Sequence, residues 1–227
     1  MLSLKFAYLI GDLLFFIPWV VFYLSRKDLR KEMITMSIIA GIGSFLTAYF
    51  LTIDWWKPLT ITGTRIGIED LMLGVTGGIA AVLYEEFFRK RLYKRDKKLH
   101  NKGLILIIML TIVTFGIFFL GFRLSSFIAC ISSLAVFVFI VSYLRKDLLI
   151  ASLINGALMT LIVIPFYLVL VFLFKNFIEV TYPYKLSGFQ FLTIPIEELV
   201  FWFFFGMAVT LFYEYWQGMR LRAIPPK

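Results

Sequence analysis

The chain has 227 residues, 61% of them hydrophobic, and its mean hydropathy is +0.90. This composition is far too apolar for an ordinary soluble domain and excludes that class. The formal net charge of +9 would suit nucleic-acid binding, but most basic residues lie in short segments between apolar runs, where membrane topology and anionic lipid explain them. We therefore expect an integral membrane protein that has no nucleic-acid partner.

Seven apolar segments are long enough to cross a bilayer as helices. Four are uncharged and reach the roughly 20 residues that a helix needs to span the hydrocarbon core, and three contain carboxylates. In chain order the predicted spans 1 to 7 cover residues 4–24, 33–53, 68–88, 103–122, 124–144, 148–174 and 195–216. The sequence thus predicts an all-α membrane protein with seven transmembrane helices.

Basic residues are distributed unevenly between the two sides of these spans. The segments that follow spans 1, 3 and 5, together with the C-terminal tail, hold 17 of the 23 Lys and Arg residues. Lys and Arg concentrate in the cytoplasmic loops of membrane proteins. We therefore expect the N-terminus outside and the C-terminus in the cytoplasm.

Two sequence patterns occur twice along the chain. The tetrad Arg-Lys-Asp-Leu occupies residues 26–29 and again 145–148. Segment 65–92 aligns without gaps with 193–220, and 8 of the 28 aligned positions are identical. A fixed internal offset of this kind indicates structural repeats.

These patterns predict the organisation of the chain. We expect two parallel three-helix repeats, at residues 1–97 and 124–227, related by an axis along the membrane normal. Span 4, within residues 98–123, links them so that both repeats run in the same direction. Glu86 and Glu214, which are identical in the two repeats, are expected to form salt bridges at the cytoplasmic rim.

The repeated segments carry paired carboxylates into very apolar surroundings. Glu69 and Asp70 begin span 3, and Glu197 and Glu198 begin span 7. A carboxylate inside a bilayer is costly and usually serves function. Burial and neighbouring like charges favour the protonated form, which can donate a proton. The alternative is that these acids cap helix N-termini or pair with nearby basic residues.

Two further acids and a run of aromatic residues accompany these pairs. Asp12 lies alone in span 1 and Asp54 lies at the outer end of span 2, where either could serve as a second acid or base. Span 7 contains the run Phe-Trp-Phe-Phe-Phe at 201–205. Desolvated aromatic faces can stabilise a cation by roughly 2 kcal/mol, although most rings of a membrane protein contact lipid. A buried acid beside such rings suits carbocation chemistry on a polyene.

Other common chemistries lack their usual residues. The single cysteine, Cys130, lies inside an apolar span, and the single histidine, His100, lies in a basic segment. The sequence contains no His/Cys cluster, no Gly-rich phosphate loop and no serine-nucleophile motif. We therefore expect no metal and no cofactor.

The segment around the second acid pair resembles a known family. Residues 194–202, Ile-Pro-Ile-Glu-Glu-Leu-Val-Phe-Trp, are similar to the Pro-x-Glu-Glu-x-x-Phe motif of the integral-membrane lycopene cyclases. Residues 52–55 resemble the Pro-Trp-Asp segment of the same family. The resemblance covers both halves and implies the fused form of enzymes that also occur as two three-helix subunits. The first motif departs from the pattern, with Gly67 in place of Pro and Asp70 where a second Glu is common.

The resemblance implies a carotenoid cyclase, an isomerase that closes a linear lycopene-type end group into an ionone ring without net redox. It implies that Glu197 and Glu198 are catalytic, with Glu69 and Asp70 as the matching acids of the first half. We expect Glu197 to donate the proton. The departures in the first motif are compatible with a first half that only positions substrate or supports the structure.

The remaining expectations concern the substrate. Phe201, Trp202 and Phe205 are expected to line the substrate site, with Asp54 and Asp12 as further substrate-side acids. The expected partners are a lipophilic polyene and membrane lipid. The alternative from another functional class is a non-catalytic carotenoid or isoprenoid binder or transporter.

Overall fold

The computed structural model describes residues 3–88, 90–94, 100–184 and 187–223, with backbone only at 90–94 and 219–223. Within these residues the protein is nearly all-α, and six helices are long and apolar enough to cross a membrane. The chain is therefore a multi-pass membrane protein. The predicted boundary at 97–98 lies outside the described residues.

The described part of the chain contains nine α-helices and four short strands. The helices are α1 Ala7–Ser25, α2 Arg30–Asp54, α3 Ile68–Met72, α4 Val75–Phe87, α5 Asn101–Gly116, α6 Ser126–Leu144, α7 Leu149–Leu173, α8 Phe177–Thr181 and α9 Ile196–Gln217. The strands form two antiparallel pairs, β1 Lys90–Lys94 with β4 Met219–Ala223, and β2 Gln190–Phe191 with β3 Ile194–Pro195. Short 3₁₀ turns precede α1 and α7, and a π-helical turn extends α5 to Gly121.

Six of the predicted spans correspond to the six long helices, with ends that agree to within three residues. Span 3, predicted as one helix over 68–88, is instead divided into α3 and α4. Around the break, Gly74 N donates to Leu71 O and Thr76 N donates to Leu73 O, both at 3.0 Å, in the tighter pattern of a 3₁₀ turn. A Cβ at Gly74 would collide with Ser37 O and the backbone of α2, so close contact with α2 accompanies the break.

The helices pack in two similar sets. In the first set α4 packs against α1 and α2, and in the second α9 packs against α6 and α7. Between the sets, α4 packs on α9, α1 packs on α7, and α2 packs on α6. The two sets therefore meet along α4, which follows the first acid pair, and α9, whose first turn contains the second pair.

A buried amide joins three of these helices. Asn155 on α7 donates to Ala80 O on α4 at 2.7 Å and to Gly206 O on α9 at 2.9 Å, and it accepts from Tyr84 N at 3.0 Å. Buried polar groups are stable only when hydrogen-bonded. The three bonds therefore fix α4, α7 and α9 relative to one another.

The first Arg-Lys-Asp-Leu tetrad holds the end of α4. Arg26 pairs with Asp28 at 3.0 Å, and its Nη1 donates to Glu85 O at 3.0 Å and to the Glu86 carboxylate at 3.1 Å. Arginine side chains commonly bond the last carbonyls of a helix in this way. The salt bridge expected for Glu86 is confirmed.

The second tetrad makes a related contact with α9. Arg145 pairs with Asp147 at 2.9 Å and donates to Glu214 O at 3.4 Å. Glu214 itself is 1% exposed, and neither of its carboxylate oxygens has a hydrogen-bond partner among the described residues, so the salt bridge expected for Glu214 is not found there. The beginning of α5 covers this end of α9, where His100 N donates to Trp216 O at 3.0 Å.

Candidate active site

An apolar cavity of about 290 Å³ lies between the two sets of helices. Helices α1, α2 and α9 each contribute residues spaced i, i+3, i+4 and i+7, which puts them on one face of their helix. These are Tyr8, Gly11, Asp12 and Phe15 on α1, Ala40, Gly43, Ser44 and Thr47 on α2, and Glu198, Phe201, Trp202 and Phe205 on α9. Trp55, Trp56, Pro58 and Leu59 and residues of α4, α6, α7 and α8 also line it.

Two carboxylates line the cavity among the described residues, one from each half of the chain. Asp12 on α1 is 1% exposed, and Glu198 on α9 is 4% exposed. Both are thus removed from bulk solvent in walls that are otherwise mostly apolar. In the described part of the chain, no group of three His, Cys, Asp or Glu residues could hold a metal ion.

Glu198 is held by a pair of tyrosines. Tyr167 Oη on α7 donates to Glu198 Oε2 at 2.5 Å, and the hydroxyls of Tyr167 and Tyr182 lie 2.8 Å apart. Burial, helped by the nearby Glu198, raises the pKa of the Tyr182 phenol well above its usual range. Tyr182 therefore keeps its proton and can donate to Tyr167, which in turn donates to Glu198. The pair fixes the position of this carboxyl group.

Asp12 lies in a different environment. Its Oδ2 atom is buried and has no hydrogen-bond partner among the described residues. Glu69 and Asp70 interact with it electrostatically. A buried polar atom without a partner costs roughly 1–3 kcal/mol, more when it is charged. The Asp12 carboxyl group lines the cavity and is thus available to hold a proton or to contact a ligand.

Glu69 and Glu197, the identical acids of the repeat, both hold a backbone segment that precedes their helix. Glu69 Oε1 accepts from Ile61 N at 2.5 Å, and Glu197 Oε1 accepts from Ser187 N at 2.7 Å. Neither is among the residues that line the large cavity, and Glu197 lines a separate pocket of about 40 Å³. The two acids thus share one kind of contact, a hydrogen bond from the backbone N–H of the segment ahead of their helix.

Asp70 caps α3 and does not line the cavity. Its Oδ2 accepts from Gly67 N at 2.8 Å, and its Oδ1 accepts from Tyr8 Oη at 3.0 Å. A Cβ at Gly67 would collide with Glu69 Oε2 and would lie 2.9 Å from Thr60 Cγ2. Because proline carries a Cβ, a proline at position 67 would require Glu69 or Thr60 to shift.

Asp54 ties the outer ends of two helices together. Its carboxylate accepts from Ser126 N at 3.0 and 3.1 Å and from Ser126 Oγ at 2.5 Å, so it caps the beginning of α6. It is not among the cavity-lining residues. Its contacts are therefore those of a helix cap.

Aromatic rings surround the inner part of the cavity. The Trp202 ring lies 5.9 Å from Phe15, 5.4 Å from Phe201 and 5.5 Å from Phe205, measured between ring centroids. Trp55 lies 5.5 Å from Phe201. All five rings line the cavity, and the three that the sequence singled out lie on the same helix face as Glu198.

Of three comparisons with known proteins, one gives a match. No curated protein and no solved structure matches the chain. The family model described as lycopene cyclase matches residues 125–216, which comprise α6 to α9 and include the acid pair and the aromatic run. The resemblance to lycopene cyclases is therefore confirmed over residues 125–216, the part of the chain that the family model matches.

Proposed function

We propose that the protein is a carotenoid cyclase, which closes a linear lycopene-type end group into an ionone ring by acid–base catalysis without net redox. The observation that carries this proposal is the cavity itself. It brings two buried carboxylates, Asp12 and Glu198, to one apolar space walled by aromatic rings. The lycopene cyclase match over 125–216 gives the substrate class.

Glu198 is the proton donor in this mechanism. In its protonated form it transfers its proton to the terminal double bond of the polyene, which leaves a tertiary carbocation. Tyr167 donates to Oε2 and so stabilises the carboxylate that remains. A hydrogen bond to a charged acceptor contributes about 1.5–3 kcal/mol.

Ring closure follows from the carbocation. The next double bond along the chain supplies its electron pair, a carbon–carbon bond forms, and the positive charge moves into the new ring. The faces of Trp202 and its neighbouring phenylalanines are available to stabilise this charge, each by roughly 2 kcal/mol when water is absent. An apolar wall also excludes water, which would otherwise trap the cation as an alcohol.

Asp12 is the base that ends the reaction. Its unpartnered oxygen removes a proton from a ring carbon beside the cation, and the electron pair of that bond becomes the ring double bond. One proton enters and one leaves, so the product is an isomer of the substrate. Return of the proton from Asp12 to Glu198 resets the site.

We also propose seven membrane crossings in two parallel three-helix repeats, 1–97 and 124–227, linked by a helix within 98–123. The matching contacts within the two helix sets support the repeat, as do the two arginines that reach the ends of α4 and α9. With the basic segments in the cytoplasm, the N-terminus lies outside and the C-terminus inside.

The topology is tested by a fused reporter. A C-terminal reporter that is active only outside the cytoplasm should be silent, and one that fluoresces in the cytoplasm should be bright. A fusion made in the segment after span 2 should give the opposite result, since that segment lies outside. If the reporter that is active only outside the cytoplasm shows activity at the C-terminus, the proposed orientation is wrong.

The function is tested by expression in a lycopene-accumulating cell. We expect cyclic carotenoids of unchanged mass, separated from lycopene by chromatography, and no ring formation in cells that carry the empty vector. If the membrane-inserted protein forms no ring yet copurifies with carotenoid, the binder or transporter function replaces this proposal.

The tyrosine pair gives a prediction about rate. Tyr167→Phe removes the hydroxyl that contacts Glu198 and should lower the rate of ring formation by about 10–100-fold, as expected for one hydrogen bond to a developing charge. Tyr182→Phe should have a smaller effect, because it acts through Tyr167. Rates are measured in isolated membranes supplied with lycopene. If Tyr167→Phe and Tyr182→Phe both form rings at the wild-type rate, the tyrosine pair does not assist Glu198.

A further inference from the structure

One wall of the cavity consists of small residues on α2. Ala40, Gly43, Ser44 and Thr47 share a face of this helix, and all four line the cavity. They lie near the middle of α2, which runs from Arg30 to Asp54 and is long and apolar enough to cross the membrane. Thr47 is exposed and the other three are half-buried, so the cavity reaches the protein surface here.

Small residues on a membrane helix usually allow a neighbouring helix to approach closely. Gly41 on α2 follows this rule, because a Cβ there would lie 2.7 Å from Leu71 O. Gly43 does not, since an added Cβ would meet nothing within 4 Å. No described helix therefore closes the face that contains Gly43. At this depth, the surrounding medium is the hydrocarbon of the bilayer.

The opening suits an apolar chain. The Thr47 hydroxyl donates to Gly43 O at 2.8 Å and lies 3.2 Å from Ser44 O, so its one proton is directed into α2 and not into the opening. The same cavity contains Asp12, whose buried Oδ2 atom has no partner among the described residues. The opening thus leads from hydrocarbon to an acid that is ready to receive a ligand or proton.

We propose that a linear carotene enters the cavity sideways from the bilayer, between the small residues of α2 and the facing residues Cys130 and Leu134 of α6. The end group reaches the acids and aromatic rings, while the rest of the polyene lies in the opening and in lipid. This inference rests on the proposed cyclase function and adds the route of access. It also implies that one end group is cyclised in each binding event.

Gly43→Trp tests this route, because the space beside Gly43 is open and a large side chain would obstruct the opening. We expect this variant to cyclise full-length lycopene at least about tenfold more slowly than the wild type, a loss that corresponds to 1.4 kcal/mol or more. A graded series, Gly43→Ala, Gly43→Val and Gly43→Phe, should lose rate in order of side-chain size.

The matched control is Gly116→Trp on α5. Gly116 is also half-buried and helical, its added Cβ also meets nothing within 4 Å, and it does not line the cavity. The control variant should cyclise lycopene at the wild-type rate. Comparable yields of membrane-inserted protein and equal thermal stability in detergent would show that both variants fold.

A shortened polyene with the same end group distinguishes obstruction from damage to the acid site. If access is the cause, Gly43→Trp should cyclise the short substrate nearly as well as the wild type does. Equal losses on both substrates, or wild-type rates on both, would overturn the route. Failure of the wild-type protein to form any ring would instead overturn the proposed function.

Discussion

Replacing Glu198 by Gln is expected to abolish ring formation, with a loss of at least about 10²-fold in rate, because general acid catalysis contributes roughly 10²–10⁴-fold. Glutamine keeps the size of glutamate and can still accept the hydrogen bond from Tyr167, but it cannot donate an acidic proton. The measurement is the rate of cyclic product formation in membranes supplied with lycopene, normalised to the amount of inserted protein.

Glu197→Gln is the matched control for this prediction. The amide of the new side chain would keep an oxygen that can accept from Ser187 N, so the loop ahead of α9 should stay in place. We expect its rate to stay within about tenfold of the wild type, the scale of one weakened hydrogen bond. If Glu197→Gln loses ring formation while Glu198→Gln retains it, the sequence-based choice of Glu197 is the correct one and the cavity-based choice fails.

The choice between these neighbours illustrates what the sequence could and could not predict about the site. Identity between the repeats favours Glu197, because Glu198 aligns with an aspartate. Adjacent residues on a helix point about 100° apart, so only one of them can face a given cavity. Which one does so depends on how α9 packs against α4, α6 and α7, and no local pattern contains that information.

The tyrosine partners were detectable in principle. Tyr8 and Tyr167 each lie within a predicted span, and a buried tyrosine hydroxyl generally needs a hydrogen-bond partner. Each donates to the second acid of a pair, Asp70 in the first half and Glu198 in the second. Residue type therefore indicates that a partner exists, whereas the identity of the partner requires the structure.

The fold was easier to predict than the site, for a physical reason. Bilayer thickness sets a minimum length for each apolar run, so six long helices follow from hydropathy alone. The division between α3 and α4 does not follow from hydropathy. It accompanies the contact of Gly74 with α2, a helix whose contacting residues lie more than thirty positions earlier in the chain. The capping of α6 by Asp54 is similarly non-local, and sequence alone suggested a substrate role for that acid.

The two halves contribute different acids to the shared cavity. The second half contributes Glu198 from its motif, while the motif acids of the first half, Glu69 and Asp70, bond to the backbone before and at the start of α3. The first half instead contributes Asp12 from α1. The altered first motif is thus compatible with a structural role, and the acid and the base of the proposed reaction come from opposite halves of the chain.

Replacing Asp12 by Asn is the second prediction with a large expected effect. If Asp12 is the base, Asp12→Asn should lower the yield of normal cyclic product by at least about 10²-fold, the lower end for a lost general base. Asn has almost the same volume, so the cavity wall that this position shares with Phe15 and Tyr8 should be preserved. Asp12→Glu keeps the base but moves it by one methylene, so a different ring proton comes within reach. We expect this variant to retain activity and to change the position of the ring double bond, measured from the absorption spectra and retention times of the products.

Asp54→Asn is the control for the loss of a half-buried, hydrogen-bonded carboxylate outside the cavity. Its side chain can still accept from Ser126, so cyclisation should remain within about tenfold of the wild type, with the same ring isomer. A change of isomer is more informative than a loss of rate, because a misfolded or unstable protein would make less product without altering where its double bond lies. If Asp12→Asn cyclises normally and Asp12→Glu gives an unchanged isomer, another group removes the proton and Asp12 has no part in the final step.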